Sequence, residues 1–106
     1  MESSQKNRRL ELNSLFIGFL GSTNVYFQPP ETIKMRYPCI VYQRQGFDTR
    51  YADNGPYTHK TRYQVTLIYK DPDSELPLKI AELPLCRHDR SFTVDNLYHD
   101  VYTLYF

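Results

Sequence analysis

The sequence predicts an α+β domain: a mainly antiparallel sheet of about four to five strands with two helices packed on it, in the order α-β-β-β-α-β-β. Three observations carry this. An apolar stripe at helical spacing lies near the N-terminus, a long period-two alternation occupies the middle, and a proline-bounded helical pattern is followed by two further strand-like runs. At 106 residues the chain is one domain, 1–106. A domain of that size buries only about two-thirds of the surface its unfolded chain exposes, so its core is thin.

The first helix is expected from Ser3 or Ser4 to Leu20, because Leu12, Leu15, Phe16, Phe19 and Leu20 recur at i, i+3, i+4, i+7 and i+8. Lys6, Arg8, Arg9 and Glu11 fall on its other faces, and Gly21 stands where a C-cap glycine belongs. Residues 24–28 read as a short strand that Pro29-Pro30 ends, since neither ring can donate to a ladder. After Pro38 the run CIVYQ starts a second strand, apolar enough to be covered on both faces. The segment 31–37 between them must cross the domain or project from it. In YTHKTRYQVTLIY, Tyr57, His59, Thr61, Tyr63, Val65, Leu67 and Tyr69 alternate with Thr58, Lys60, Arg62, Gln64, Thr66 and Ile68, giving a long strand with one face in and one face wet. Between these strands lies RQGFDTRYADNGP, in which Asn54-Gly55-Pro56 marks a turn. The pair is therefore expected to form a hairpin projecting at about 44–58, with a polar, tyrosine-bearing tip.

In DPDSELPLKIAELP the expected helix has Asp73 or Ser74 as N-cap, acidic residues in its first turn and Pro77 early enough to be tolerated. Pro84 stops it, and Leu76, Ile80 and Leu83 form its buried edge. Two strands follow, at about 85–94 and 97–106, joined around Asp95-Asn96. The chain closes on VYTLYF, too aromatic an end to be left undocked.

Composition removes several function classes from the expectation. A net charge of +1 gives no basic field for gripping nucleic acid. The charged N-terminus does not read as a signal peptide and no run is long enough to span a bilayer, so cytoplasmic synthesis without a membrane is expected. Cys39 and Cys86 then read as buried free thiols. Asp71, Asp73 and Glu75 lack the glycine and distal glutamate of a calcium loop. Cys86 and His88 share one side of a strand, but Cys39, His59 and His99 would complete the set at spacings that fit no common zinc motif. Nothing joins Cys39, His99 and Asp95 into a nucleophilic set, and no glycine-rich phosphate loop is present. No enzyme activity, cofactor or metal is expected. Ten tyrosines and six phenylalanines remain to be explained. They suit either a surface covered by a neighbouring subunit or simply a strand-rich chain.

The polar cluster DRSFTVDNLYHD places Asp89, Arg90, Asp95, Asn96 and His99 around a turn. It reads as turn chemistry with a surface ion pair, or as an Asp89–Arg90 pair that fixes register across a subunit boundary. Taken in order, LGSTNVYFQPPETIKMRYPCIVY, YADNGPY, YKDPDSELP, LPLCRHDRSF and DNLYHDVYTLYF resemble the tail terminator, or tail completion, proteins encoded in the head-to-tail module of long-tailed bacteriophages and prophages. The resemblance spans about 10–106, with departures at the hairpin tip and on the helix surfaces. It implies an α+β subunit that forms a homohexameric ring on the head-proximal end of the tail tube, stops tube polymerisation and offers a docking surface to the head.

The partners so implied are further copies of the chain, the tail tube protein and a neck or head-closure protein. DNA would pass through the lumen without specific binding, which suits a nearly neutral subunit. The location implied is the virion tail or neck, after assembly in the host cytoplasm. A head-closure or other minor neck protein, and a protein-binding module outside the virion, are the alternatives. A closed head-to-tail ring needs two unlike patches on each subunit. One is expected on the hairpin at Phe47, Tyr51, Asp53, Asn54 and Tyr57, the other at Asp89, Arg90, Tyr102, Tyr105 and Phe106 near the C-terminal strand.

Overall fold

The computed structural model describes residues 4–52 and 55–106, with side chains at 6–46 and 60–106. Its elements run α1 (Ser4–Leu20), β1 (Val25–Phe27), β2 (Cys39–Ala52), β3 (Gly55–Tyr69), α2 (Leu76–Ala81), β4 (Cys86–Val94) and β5 (Leu97–Tyr105). This is the expected α+β order. The sheet order is β1-β2-β3-β5-β4, with β1 parallel to β2 and every other pair antiparallel.

Helix α1 ends where the glycine stands: Gly21 has φ +70°, a left-handed conformation that costs glycine little, and its N–H reaches the Ile17 carbonyl at 2.9 Å. The stripe on α1 packs on the sheet, with Leu12 and Phe16 fully buried and Leu15, Phe19 and Leu20 along the edges. From α2, Ile80 joins the same core, so both helices cover one face. That face presents Ile40 and Tyr42 from β2, Tyr63, Val65 and Leu67 from β3, and Tyr102 and Leu104 from β5.

Three of the ten tyrosines are accounted for inside the core. Tyr42, Tyr63 and Tyr102 are among the largest fully buried side chains. Tyr42 meets Phe16, Phe27 and Tyr63 at ring-centroid distances of 5.3, 4.9 and 5.8 Å, in tilted or edge-on contacts. Its hydroxyl donates to Asn13 Oδ1 at 2.7 Å, and that of Tyr102 donates to the Pro77 carbonyl at 2.8 Å. Tyrosine here spans a thin core and satisfies its polar tip at the far side, which phenylalanine could not do.

Several local expectations are corrected. The N-cap of α2 is Glu75, with no side-chain cap, and its first turn holds no acidic residue. Ser74 Oγ instead accepts the Leu76 N–H at 3.2 Å, and Asp71 Oδ1 accepts the Asp73 N–H at 2.9 Å, so these polar groups shape the approach to the helix. Gly55 and Pro56 lie inside β3, with Ala52 paired to Gly55, so the hairpin reverses earlier than Asn54-Gly55-Pro56 implied. The face of β3 opposite the helices is not wholly wet either, because Ile68 is 8 % exposed.

The chain end is docked as its aromatic content required. The Phe106 N–H donates to the Thr61 carbonyl at 3.0 Å, and the Arg8 guanidinium lies 4.1 Å above the Phe106 ring.

Candidate assembly surfaces

Two regions stand apart from the core. The first is the far half of the β2–β3 hairpin. β3 pairs with β5 only over 62–69, with the Thr61 carbonyl taken by Phe106, and β2 pairs with β1 only over 40–42, so 46–52 and 55–60 are paired with each other and with no further strand among the described residues. The ribbon starts at a register shift between Arg44 and Gly46, where a Cβ on Gly46 would stand 2.9 Å from an Arg62 guanidinium nitrogen. Such a bulge adds a residue to one strand, bends it and increases the local twist.

The second region is β4, the edge strand. From Arg87 to Val94 every residue is exposed, including Phe92 at 39 % and Val94 at 48 %. The opposite edge, β1, has three residues and is followed by Pro29-Pro30. One edge is thus short and closed by prolines, whereas the other is long and open.

A register shift between His88 and Arg90 leaves Asp89 as the extra residue of β4. It puts His88 opposite Tyr102 and Ser91 opposite Asp100, so both side chains reach the helix-covered face. There Asp100, 5 % exposed, accepts from the Tyr69 hydroxyl at 2.6 Å, from His88 Nε2 at 2.9 Å and from the Ser91 hydroxyl. Burial raises the carboxyl pKa, but the bonds from Ser91, Tyr69 and His88 outweigh it and hold it below its ordinary value. Tyr69 is driven the other way, to about 12, by burial and then by its bond to Asp100. Serine, histidine and aspartate meet here, yet His88 Nε2 faces both Ser91 Oγ, at 3.1 Å, and Asp100. A catalytic relay uses the two ring nitrogens separately, so this cluster fastens β4 to β3 and β5 rather than activating the serine.

On the other face Asp89 accepts from Arg87 Nε at 2.8 Å and from the Thr103 hydroxyl at 2.6 Å. Burial raises the Asp89 pKa while these bonds more than offset it, leaving it lowered. Phe92 stacks on His99 at 4.7 Å, and Arg90 lies 5.8 Å from the Phe92 ring centroid. Gln43 Nε2 donates to Gln64 Oε1 at 3.1 Å. The helix-free face is carpeted by its own long side chains, which is how Val101 and Thr103 come to be 2 % and 7 % exposed.

The structure divides the ten expected interface residues. Asp53 and Asn54 lie outside the described residues, and for Phe47, Tyr51 and Tyr57 the backbone alone is described, within the ribbon. Asp89 and Arg90 sit on β4, where Asp89 takes its hydrogen bonds from Arg87 and Thr103 and also feels the Arg90 charge. Tyr102 is a correction: it is 0 % exposed and belongs to the subunit's own core. Tyr105 and Phe106 are half-buried and line a groove of about 240 Å³ with Arg8, Lys60 and Leu85. The Asp100 cluster was missed because its members come from β3, β4 and β5 and share no sequence spacing. Its local trace was the extra residue that lets His88 and Ser91 share a face.

Both cysteines are free, Cys39 buried and Cys86 half-buried, and burial pushes each thiol up to about 11. Among the described residues no group of three or more His, Cys, Asp or Glu side chains could hold a metal ion. No described helix is long and apolar enough to cross a membrane. Comparison with family models, curated proteins and solved structures gives no match.

Proposed function

We propose that the protein is a structural subunit of a phage tail, forming a ring at the head-proximal end of the tail tube that stops polymerisation and offers the head its docking surface. The observation that carries this reading is the β2–β3 ribbon: 46–52 and 55–60 extend beyond the sheet with no third strand beside them among the described residues. A two-stranded ribbon is marginal by itself, and a neighbouring subunit can supply the missing contacts. The ribbon and the open β4 edge belong to different strands, with β5 between β3 and β4, which supports two unlike patches of the kind a heterologous ring requires.

The sequence resemblance to tail terminator proteins supplies the location, and the hexamer, tube and neck partners belong to the same proposal. DNA would traverse the lumen without being held, consistent with a net charge of +1.

The test is electron microscopy of a lysate from a phage lacking this gene. Filled heads beside detached tubes of uncontrolled length are expected. Tails of normal length beside leaking or unjoined heads would move the protein to the head side of the neck, and intact virions would sink the structural role. A Tyr51→Ser, Tyr57→Ser double variant should fold normally and fail to restore joined tails. Full restoration would remove the hairpin from the interface.

A further inference from the structure

β4 is unusual for an edge. Natural sheets blunt exposed edges with short strands, prolines or lysines, as β1 does here with three residues and two following prolines. β4 runs for nine residues without proline; its bulge and the charges of Arg87, Asp89 and Arg90 lie in its first five residues, and the last four display Phe92 and Val94. Its one bulge, at Asp89, lies toward the N-terminal half, so 90–94 forms a regular segment paired to β5 on one side.

Which backbone groups point outward follows from the turn. Asp95 and Asn96 have φ +53° and +63°, the left-handed pair of a two-residue type I′ hairpin. The flanking pair Val94–Leu97 is then the one that exchanges hydrogen bonds, and in the next pair, Thr93–Tyr98, the backbone groups point away from each other. The Thr93 N–H and C=O therefore face the empty side of the edge.

We infer that the outer edge of β4 is completed by the β2–β3 ribbon of a second copy of this chain, joining the two sheets into one. The inference rests on the ring reading above and names the surface that receives the ribbon. A second copy is favoured over an unrelated strand because each chain carries both halves of the match. Among the described residues the ribbon runs 46–52 and 55–60 pair only with each other, and the regular segment 90–94 of β4 offers an edge to either. Ribbon and edge are different elements, so the contact is heterologous and propagates around a ring instead of stopping at a pair.

Thr93→Pro tests this, because it deletes an outward N–H and leaves the pairing with β5 intact. In sedimentation velocity the wild-type protein is expected to run as a closed oligomer and Thr93→Pro as a monomer with unchanged circular dichroism. Thr93→Val, which keeps the N–H, should remain oligomeric. Were the proline variant to misfold, amide exchange on the wild type decides: Thr93 should be protected in the oligomer and exchange freely on dilution to monomer. A wild type that stays monomeric at every concentration, an oligomeric Thr93→Pro, an unprotected Thr93 amide, or a two-fold dimer made by two β4 edges would each overturn the inference. None of these outcomes depends on the gene-deletion phenotype, which judges the tail-terminator reading separately.

Discussion

β4 and β5 have the same length, nine residues, and are joined by a two-residue turn, yet their environments are opposite. In β5 the run Asp100–Leu104 is buried on both faces, whereas in β4 everything after Cys86 is exposed. Composition accounts for part of this, CRHDRSFTV against LYHDVYTLY. Position decides the rest. β5 lies between β3 and β4, so it loses water from both edges, while β4 gains a neighbour on one side alone. A core strand and an interaction strand can thus be adjacent in sequence and paired in space, and the Asp100 cluster holds the second rigidly against the first.

Damage is therefore expected to be graded by strand. The largest loss is expected for Tyr102→Ala in β5, which empties a fully buried site and abandons the bond to Pro77; about 3–5 kcal/mol should appear in denaturant unfolding. A loss below about 1 kcal/mol would mean that β5 is not the core strand described here.

Next comes the fastening between the strands. Asp100→Ala leaves the Tyr69, Ser91 and His88 donors without their acceptor, an expected cost of about 2–3 kcal/mol. Tyr69→Phe should cost about 1 kcal/mol, since it removes one donor and leaves two.

The same fastening predicts a pH dependence. Asp100 and Asp89 are both lowered from their ordinary 3.8, so their contribution is present above that value and is lost as pH falls through the lower folded values. Acid titration of unfolding free energy should decline below about pH 4, and Asp100→Asn should flatten part of that decline. At the alkaline end the folded state holds the Cys39 and Cys86 protons up to about 11, so stability should fall as pH rises from the ordinary thiol value of 9. An identical acid limb in wild type and Asp100→Asn would sever the cluster from stability.

Smaller still is the turn between the strands. Asn96→Ala forces an alanine into φ +63° and should cost about 1 kcal/mol, whereas Asn96→Gly should be tolerated in thermal melts. At the bottom of the scale, Phe92→Ser on exposed β4 should change monomer stability by no more than about 0.5 kcal/mol.

Legibility in the sequence followed the range of the forces involved. The α1 stripe, Gly21, the period-two run of β3 and the Asp95-Asn96 turn were readable because each depends on neighbours within a turn or a strand. The hairpin was readable as well, but its reversal was misplaced, since Asn54-Gly55-Pro56 has turn chemistry while strand pairing carries Gly55 and Pro56 into β3. Tyr102 looked like an interface residue because tyrosine serves cores and surfaces equally well, and only the helix packed over it decides which.

By itself, then, the sequence determined the order of helices and strands and the faces of α1 and β3, because local periodicity and backbone stereochemistry act over a few residues. Tertiary structure alone decided that β1 would pair in parallel with β2, and that β5 would insert between β3 and β4. It also brought Tyr69, His88, Ser91 and Asp100 to one point. These outcomes depend on which edges and buried polar groups find partners once the chain is compact, and that requirement is met between residues far apart in sequence.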